Sequence, residues 1–235
     1  MHTAAGLRSD ALSTVILDMD GTLLDLHFDE QVWHYRLPAL LAARRGCALE
    51  VAKLDVAETI AAARGTLSWY CLDHWGEVFG VSMHDLETEL AALIQPRPGT
   101  GAFLAHLAGR GIRTVLATNA HPRSLAHKLA RTGLAGYFTR IRSAHPYGAP
   151  KEHAAFWEAL AADVGIDPMT CLLVDDNVAV LDAARAWGIR ELYGIRRPSS
   201  SGTWREYADY PAVDSLTELI PRCQTALAPA SRPPV

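Results

Sequence analysis

Two aspartates two positions apart, Asp18 and Asp20, followed at once by Gly21 and Thr22, are the residues of this sequence best suited to chemistry. They close a short apolar, β-branched run at residues 14–19 that reads as a buried strand. In open α/β sheets ligands collect beyond the carboxyl ends of the strands. Two carboxylates placed there can serve one reacting centre. One can attack phosphorus and form an aspartyl-phosphate; the other can protonate the leaving oxygen and then deprotonate an attacking water. Gly21 lets the backbone turn sharply enough to bring amides near a phosphate. The plain alternative is an acidic turn, since Asp and Gly are ordinary turn residues. The other strand ends decide between the two.

A second strand-like run, residues 112–117, stops at Thr118-Asn119, a weaker one covers 137–141, and a fourth, 171–174, stops at Asp175-Asp176. A short fifth lies at 190–193. Helical patterns occupy 100–109, 122–132, 152–164 and 178–187, with Gly111, Gly133, Gly165 and Gly188 just past their ends, where a left-handed cap favours glycine. Strand and helix in alternation predict right-handed crossovers and a parallel sheet covered on both faces. Between Leu24 and Pro96 only helical patterns are found, such as 30–44, 67–79 and 83–94, and the stretch ends in the stiff linker Pro96-Arg97-Pro98-Gly99. The expected organisation is a core of residues 1–24 and 97–225, an all-helical cap domain of residues 25–96, and a disordered, proline-rich tail at 226–235.

Composition narrows the class. Hydrophobic residues at 49% and charged residues at 20% describe an ordinary globular chain. A net charge of −4 offers no positive field for nucleic acid or anionic lipid. No apolar run reaches the roughly 18–20 residues that span a bilayer, and residues 1–13 lack the charged start and apolar stretch of a signal peptide. A cytoplasmic enzyme is expected. Cys47, Cys71, Cys171 and Cys223 form no CxxC pair, which argues for reduced thiols and against zinc or a disulfide framework. Lysine is scarce: Lys53, Lys128 and Lys151 are the whole set.

With these motifs in order, the chain resembles the haloacid dehalogenase-like (HAD) hydrolase superfamily. The opening DxDGT is matched by Asp18 to Thr22, the Thr or Ser of the next strand end by Thr118, the Lys before a helix by Lys151, and the acidic pair after an apolar strand by Asp175 and Asp176. The resemblance implies an α/β fold, a HAD-type Rossmann-like parallel sheet core with an inserted all-helical cap domain. It implies Asp18 as nucleophile, Asp20 as acid and base, a phosphate-binding hydroxyl at Thr118, and Lys151 on the phosphoryl oxygens. It also implies Mg²⁺, held by Asp18, the backbone carbonyl of Asp20, Asp176, and Asp175 directly or through water. Gly21, Thr22 and Asn119 are expected to contact the phosphate, although Asn119 also suits the cap of the following helix. Two positions depart from the pattern of many relatives: Val180 stands where another Asp is common, and Glu152 where Pro is common.

A narrower resemblance is to the bacterial GMP/IMP nucleotidase family, carried by residues 18–25, 66–73, 118–122 and 147–152. It implies a purine nucleoside monophosphate as the small phosphorylated partner. In the cap, Trp69, Tyr70 and Trp75 could offer a stacking face and Asp73 or His74 could read the base edge, while Trp69, Leu72 and Phe79 also sit at the spacing of a helix core. His121 and Arg123 either reach phosphate or decorate a turn. The main competing reading is a phosphatase or phosphomutase for a sugar phosphate or another small phosphometabolite. A dehalogenase has no use for a proton shuttle at Asp20, and a phosphonatase needs a cap lysine, for which only Lys53 is available. A catalytically dead binding module is disfavoured because nucleophile, lysine and metal carboxylates are all present.

Overall fold

The structure is a computed structural model and describes residues 12–224; the expected tail at 226–235 lies outside the described residues. Six parallel strands form one sheet in the order β3-β2-β1-β4-β5-β6: β1 (Thr14–Leu17), β2 (Arg113–Thr118), β3 (Arg140–Ser143), β4 (Cys171–Val174), β5 (Glu191–Ile195) and β6 (Ala212–Val213). Every residue of β1 is buried, as expected for a central strand covered on both faces. Alternate residues feed two cores. Val15, Leu17, Leu116, Leu172 and Val174 enter one, and Ile16, Val115, Ala117 and Leu173 the other, which follows from the two-residue period of a strand. The first core is continuous with that of the helical insertion.

The register positions the chemistry. Leu17 pairs with both Leu116 and Val174, so Asp18, Thr118 and Asp175 leave three adjacent strands at one edge of the sheet. The order turns back at β1, with β2 on one side and β4 on the other, which opens a crevice there. Helices α6 (Thr100–Gly109) and α7 (Pro122–Thr132) cover one face; α8 (Ala154–Val164) and α9 (Val178–Trp187) cover the other. Among the described residues no helix is long and apolar enough to cross a membrane.

Several boundaries differ from the sequence pattern. The third strand lies at Arg140–Ser143 rather than 137–141, because Leu134–Tyr137 close into a 3₁₀ turn. Strand β6 is only two residues long and carries no periodicity to read. Helix α8 begins at Ala154, since Lys151 and Glu152 form a turn. Helix α6 is capped at Arg110, one residue before Gly111, and Gly188 takes φ 122°, outside the left-handed helical region.

The insertion between Leu24 and Pro96, two residues joined by an isolated antiparallel bridge, contains only helices. Helix α1 (His27–Glu30) passes through a π-helical stretch (Gln31–Arg36) into α2 (Leu37–Arg45). Pro38 accounts for the widening: it has no N–H to give the preceding turn, and its ring crowds the carbonyl four residues back. Helix α3 (Leu49–Ala61) fills a stretch where no pattern was singled out. The 67–79 pattern breaks at Cys71 into a 3₁₀ turn (Leu67–Tyr70) and α4 (Leu72–Phe79), and the 83–94 pattern breaks at Leu90 after α5 (Met83–Glu89). At the returning hinge, the buried Arg97 donates to the carbonyls of Thr22, Arg197 and Asp214.

Candidate active site

Asp18, one residue beyond β1, is buried, and its Oδ1 accepts a hydrogen bond from Lys151 Nζ. The same ammonium donates to Asp175 Oδ2 at 2.7 Å. Lys151 is itself buried and its pKa is raised: burial opposes its charge, but Asp175 and Asp18 outweigh that. Burial pushes the Asp18 carboxyl up to about 7 in spite of Lys151, with Asp175 and Asp20 adding to the rise. Asp175 and Asp176 are pushed to about 6, again chiefly by burial.

The three carboxylates bring oxygens within 4.8 Å of one another. An all-oxygen donor set of three acids, two of them buried, beside one lysine suits a hard divalent cation such as Mg²⁺, whose charge would favour the ionised acids. Gly21 leaves room for this. At φ +82° it occupies backbone space that disfavours other residues, and a Cβ there would lie 2.7 Å from Asp176 Cγ. Arg205, which the sequence reading passed over, donates to Asp176 Oδ2 at 2.8 Å. It comes from an irregular segment after β5 that carries no motif.

At the second strand end both polar side chains have partners within the protein. Thr118 is buried and its hydroxyl accepts from Ala120 N at 3.0 Å. Asn119 does not cap α7; His121 does, through Nδ1 to Arg123 N. Instead Asn119 Oδ1 accepts from Lys151 N at 2.9 Å, and its amide donates to Glu152 Oε2 at 2.9 Å. Asn119 therefore clamps the turn that presents Lys151. Glu152 also accepts from Asn177 Nδ2 at 3.1 Å and from Tyr70 Oη at 2.6 Å. A position first noticed only as a departure from the family pattern thus joins the lysine turn, the β4 loop and the helical insertion.

Asp20 meets a partner that no spacing rule could reveal. Lys128, in the interior of α7 and 1% exposed, donates to Asp20 Oδ1 at 2.7 Å and to Asp29 Oδ1 at 2.7 Å. Burial pushes the Asp29 carboxyl up to about 7 against the pull of Lys128. Beside them Ser124 donates to Glu87 Oε1 at 2.6 Å, and Glu87 Oε2 has no partner. Lysine and serine come from the core, Asp29 and Glu87 from the insertion, so the cluster closes one seam between them.

A chamber of about 1180 Å³ opens between insertion and core. Asp18, Asp20, Thr118, Asn119, Lys151, Asp175 and Asp176 all line it, and Trp33, Tyr35, Trp69 and Tyr70 face them. Trp69 stacks on Tyr70 with centroids 5.7 Å apart, and Arg64 covers the Trp69 ring at 5.1 Å. The other expected contacts lie elsewhere. Trp75 is 1% exposed in the insertion's core. Asp73 pairs with Arg123, and His74 packs edge-on against Trp75 at 4.7 Å; neither lines the chamber. Gly21 and Thr22 do not line it, and the Thr22 hydroxyl is buried and unpartnered. Of the turn pair, His121 reaches the chamber wall and Arg123 does not.

Sheet order, strand-end acids and buried lysine agree with the family profile that matches residues 12–188: the chain belongs to the haloacid dehalogenase-like hydrolases and is a phosphoric monoester hydrolase. Among individual proteins, it is 38% identical over 210 residues to the GMP/IMP nucleotidase YrfG of Escherichia coli K12, covering 89% of this chain and 95% of that one. It is 24% identical over 215 residues to hexitol phosphatase B of the same organism, covering 87% and 92%. A HAD phosphatase from Thermococcus onnurineus shares the fold with a TM-score of 0.78 at 20% identity, over 92% of this chain and all of that one.

Proposed function

We propose that the enzyme is a Mg²⁺-dependent phosphatase for purine nucleoside monophosphates that works through an aspartyl-phosphate on Asp18, with residues 25–96 acting as a cap domain over a core of residues 1–24 and 97–225. The observation that carries this reading is the placement of Asp18. It lies at the end of the central strand, gripped by Lys151 through one oxygen and clustered with Asp175 and Asp176. The aromatic wall opposite and the 38% identity to a GMP/IMP nucleotidase favour a purine.

With one oxygen held, the other Asp18 oxygen is free to attack phosphorus in line with the leaving group. The bond from phosphorus to the ester oxygen breaks, and Asp20 gives that oxygen a proton. Asp20 then takes a proton from water, which attacks the acyl phosphate, frees orthophosphate and restores Asp18. Lys128 occupies Asp20 Oδ1, leaving the second oxygen for the proton. Lys151 and the Thr118 hydroxyl hold the phosphoryl oxygens as charge redistributes. Asp18, Asp176, the Asp20 carbonyl and Asp175 would hold Mg²⁺, which when bound neutralises negative charge on the phosphoryl group.

The test is phosphate release from GMP, IMP, AMP, glucose 6-phosphate and a hexitol phosphate, each with and without Mg²⁺. The expected result is kcat/KM for GMP and IMP about tenfold or more above the sugar phosphates, equivalent to roughly 1.4 kcal/mol, with Asp18→Asn inactive on all of them. A sugar phosphate as best substrate would remove the purine reading; an active Asp18→Asn would remove the nucleophile.

A further inference from the structure

Away from the carboxylates, a second set of metal-ligating side chains meets across the seam between insertion and core. Cys71 Sγ, a ring nitrogen of His121 and one of His145 lie within 4.8 Å of one another. Cys71 is the N-cap of α4 in the insertion, His121 the N-cap of α7, and His145 begins the short turn after β3. The core half is held by backbone ties: Ser143 Oγ donates to Ala120 O at 2.8 Å, and Ala144 N to Thr118 O at 2.8 Å. The wide sequence separation is why cysteine spacing argued against zinc.

The geometry suits one small ion. Imidazoles bound to zinc place nitrogen at about 2.0–2.1 Å, so two ring centroids on a tetrahedral ion stand about 5 Å apart. The His121 and His145 centroids are 5.0 Å apart, with planes at 84°. Tetrahedral S and N donors sit about 3.3–3.7 Å from one another, so the set need contract only by about 1 Å from its 4.8 Å limit. His145 Nε2 is buried and has no hydrogen-bond partner. Asp73 Oδ2 stands 3.6 Å from His121 Nε2 and its other oxygen is held by Arg123 at 3.1 Å, outside the three-residue cluster. Binding through His121 Nε2 shifts that ring's proton to Nδ1, which gives up only the long 3.4 Å bond from Arg123 N. Burial holds both imidazoles below their ordinary pKa, in the neutral form a metal takes.

We propose that Cys71, His121 and His145 form a site for a borderline divalent cation of the Zn²⁺ class, its fourth position left to water, and that its occupation clamps the helical insertion onto the core. On binding, the Cys71 thiol releases its proton to solvent and the thiolate joins the ion. Thiolate and imidazole select such cations, whereas Mg²⁺ keeps to oxygen. A clamp across this seam opposes the opening that admits substrate and releases product.

The test is a Co²⁺ titration of the full chain under saturating Mg²⁺, read by the near-ultraviolet thiolate-to-cobalt charge-transfer band. One equivalent is expected to give the band, Cys71→Ser to abolish it, and His145→Gln to weaken binding about tenfold or more. Serine is a good N-cap, so Cys71→Ser keeps the start of α4. Asp176→Asn is expected to keep the band, which separates this site from the acidic one. Zn²⁺ should raise the melting temperature and slow turnover of the wild type, and do neither in Cys71→Ser. Absence of the band in the wild type, its persistence in Cys71→Ser, or its loss in Asp176→Asn would each overturn the proposal.

Discussion

Replacing Lys128 with methionine removes a charge from the cluster with Asp20 and Asp29 while keeping most of the side chain's length. The two carboxylates retain 21% of their side-chain exposure, so some water reaches them once the lysine is gone. Breaking a fully buried ion pair by deleting one partner costs about 3–5 kcal/mol; partial exposure places this one near the lower end, about 3 kcal/mol. For a chain of this length that corresponds to roughly 6–12 °C in melting temperature. The sign depends on pH. Asp29 has its pKa raised from 3.8 to about 7, so folding is helped below pH 4 and that help is lost as pH rises through 7. Without Lys128 the carboxyl rises further, and the penalty keeps growing above pH 7. In acid the penalty shrinks, because Asp29 is then protonated and gives Lys128 less counter-charge to lose. The variant should therefore melt closer to the wild type at pH 5, and well below it at pH 8, measured by circular dichroism without Mg²⁺. Because Lys128 positions Asp20, kcat should fall about tenfold or more with KM little changed. A loss of stability that is the same at both pH values, or an unchanged kcat, would refute this account of the cluster.

The same geometry sets three further outcomes. Asp18, Asp175 and Asp176 all have folded pKa values raised from 3.8, to about 7, 6 and 6, so metal-free stability should decline as pH climbs from 4 to 7. Mg²⁺ binds the ionised acids, and the melting temperature it adds, compared with chelator, should be greater at pH 8 than at pH 5; an equal gain would separate the metal from these carboxylates. Tyr70→Phe removes the 2.6 Å bond to Glu152, a charge-assisted contact of about 1.5–3 kcal/mol, and should lower kcat/KM for GMP about tenfold or more. His74→Ala, away from the chamber, should leave the preference for GMP over p-nitrophenyl phosphate intact, and a changed preference would bring His74 back into recognition.

The chemistry of the core was legible in one dimension because three of its motifs sit where a strand stops. A parallel sheet in register brings strand ends to one edge, so Asp18, Thr118 and Asp175 could be expected to converge before their distances were known, and the family resemblance added Lys151 from the turn before a helix. Glycine at position 21 was legible for the same reason, since the turn after the central strand has little room. The seam between insertion and core was not legible. Lys128 stands 108 residues from Asp20, and Tyr70 stands 82 from Glu152; no helical or strand period relates them. Trp69 and Trp75 show the same limit within one short segment. Both are aromatic residues of the one helical pattern at 67–79, but that pattern breaks at Cys71; the first lines the chamber and the second lies in the insertion's core. Side-chain type and local period specify which elements form and which ends carry acid or base. Which of those groups touch across the seam depends on how insertion and core pack against each other, and that is decided only when the chain is folded.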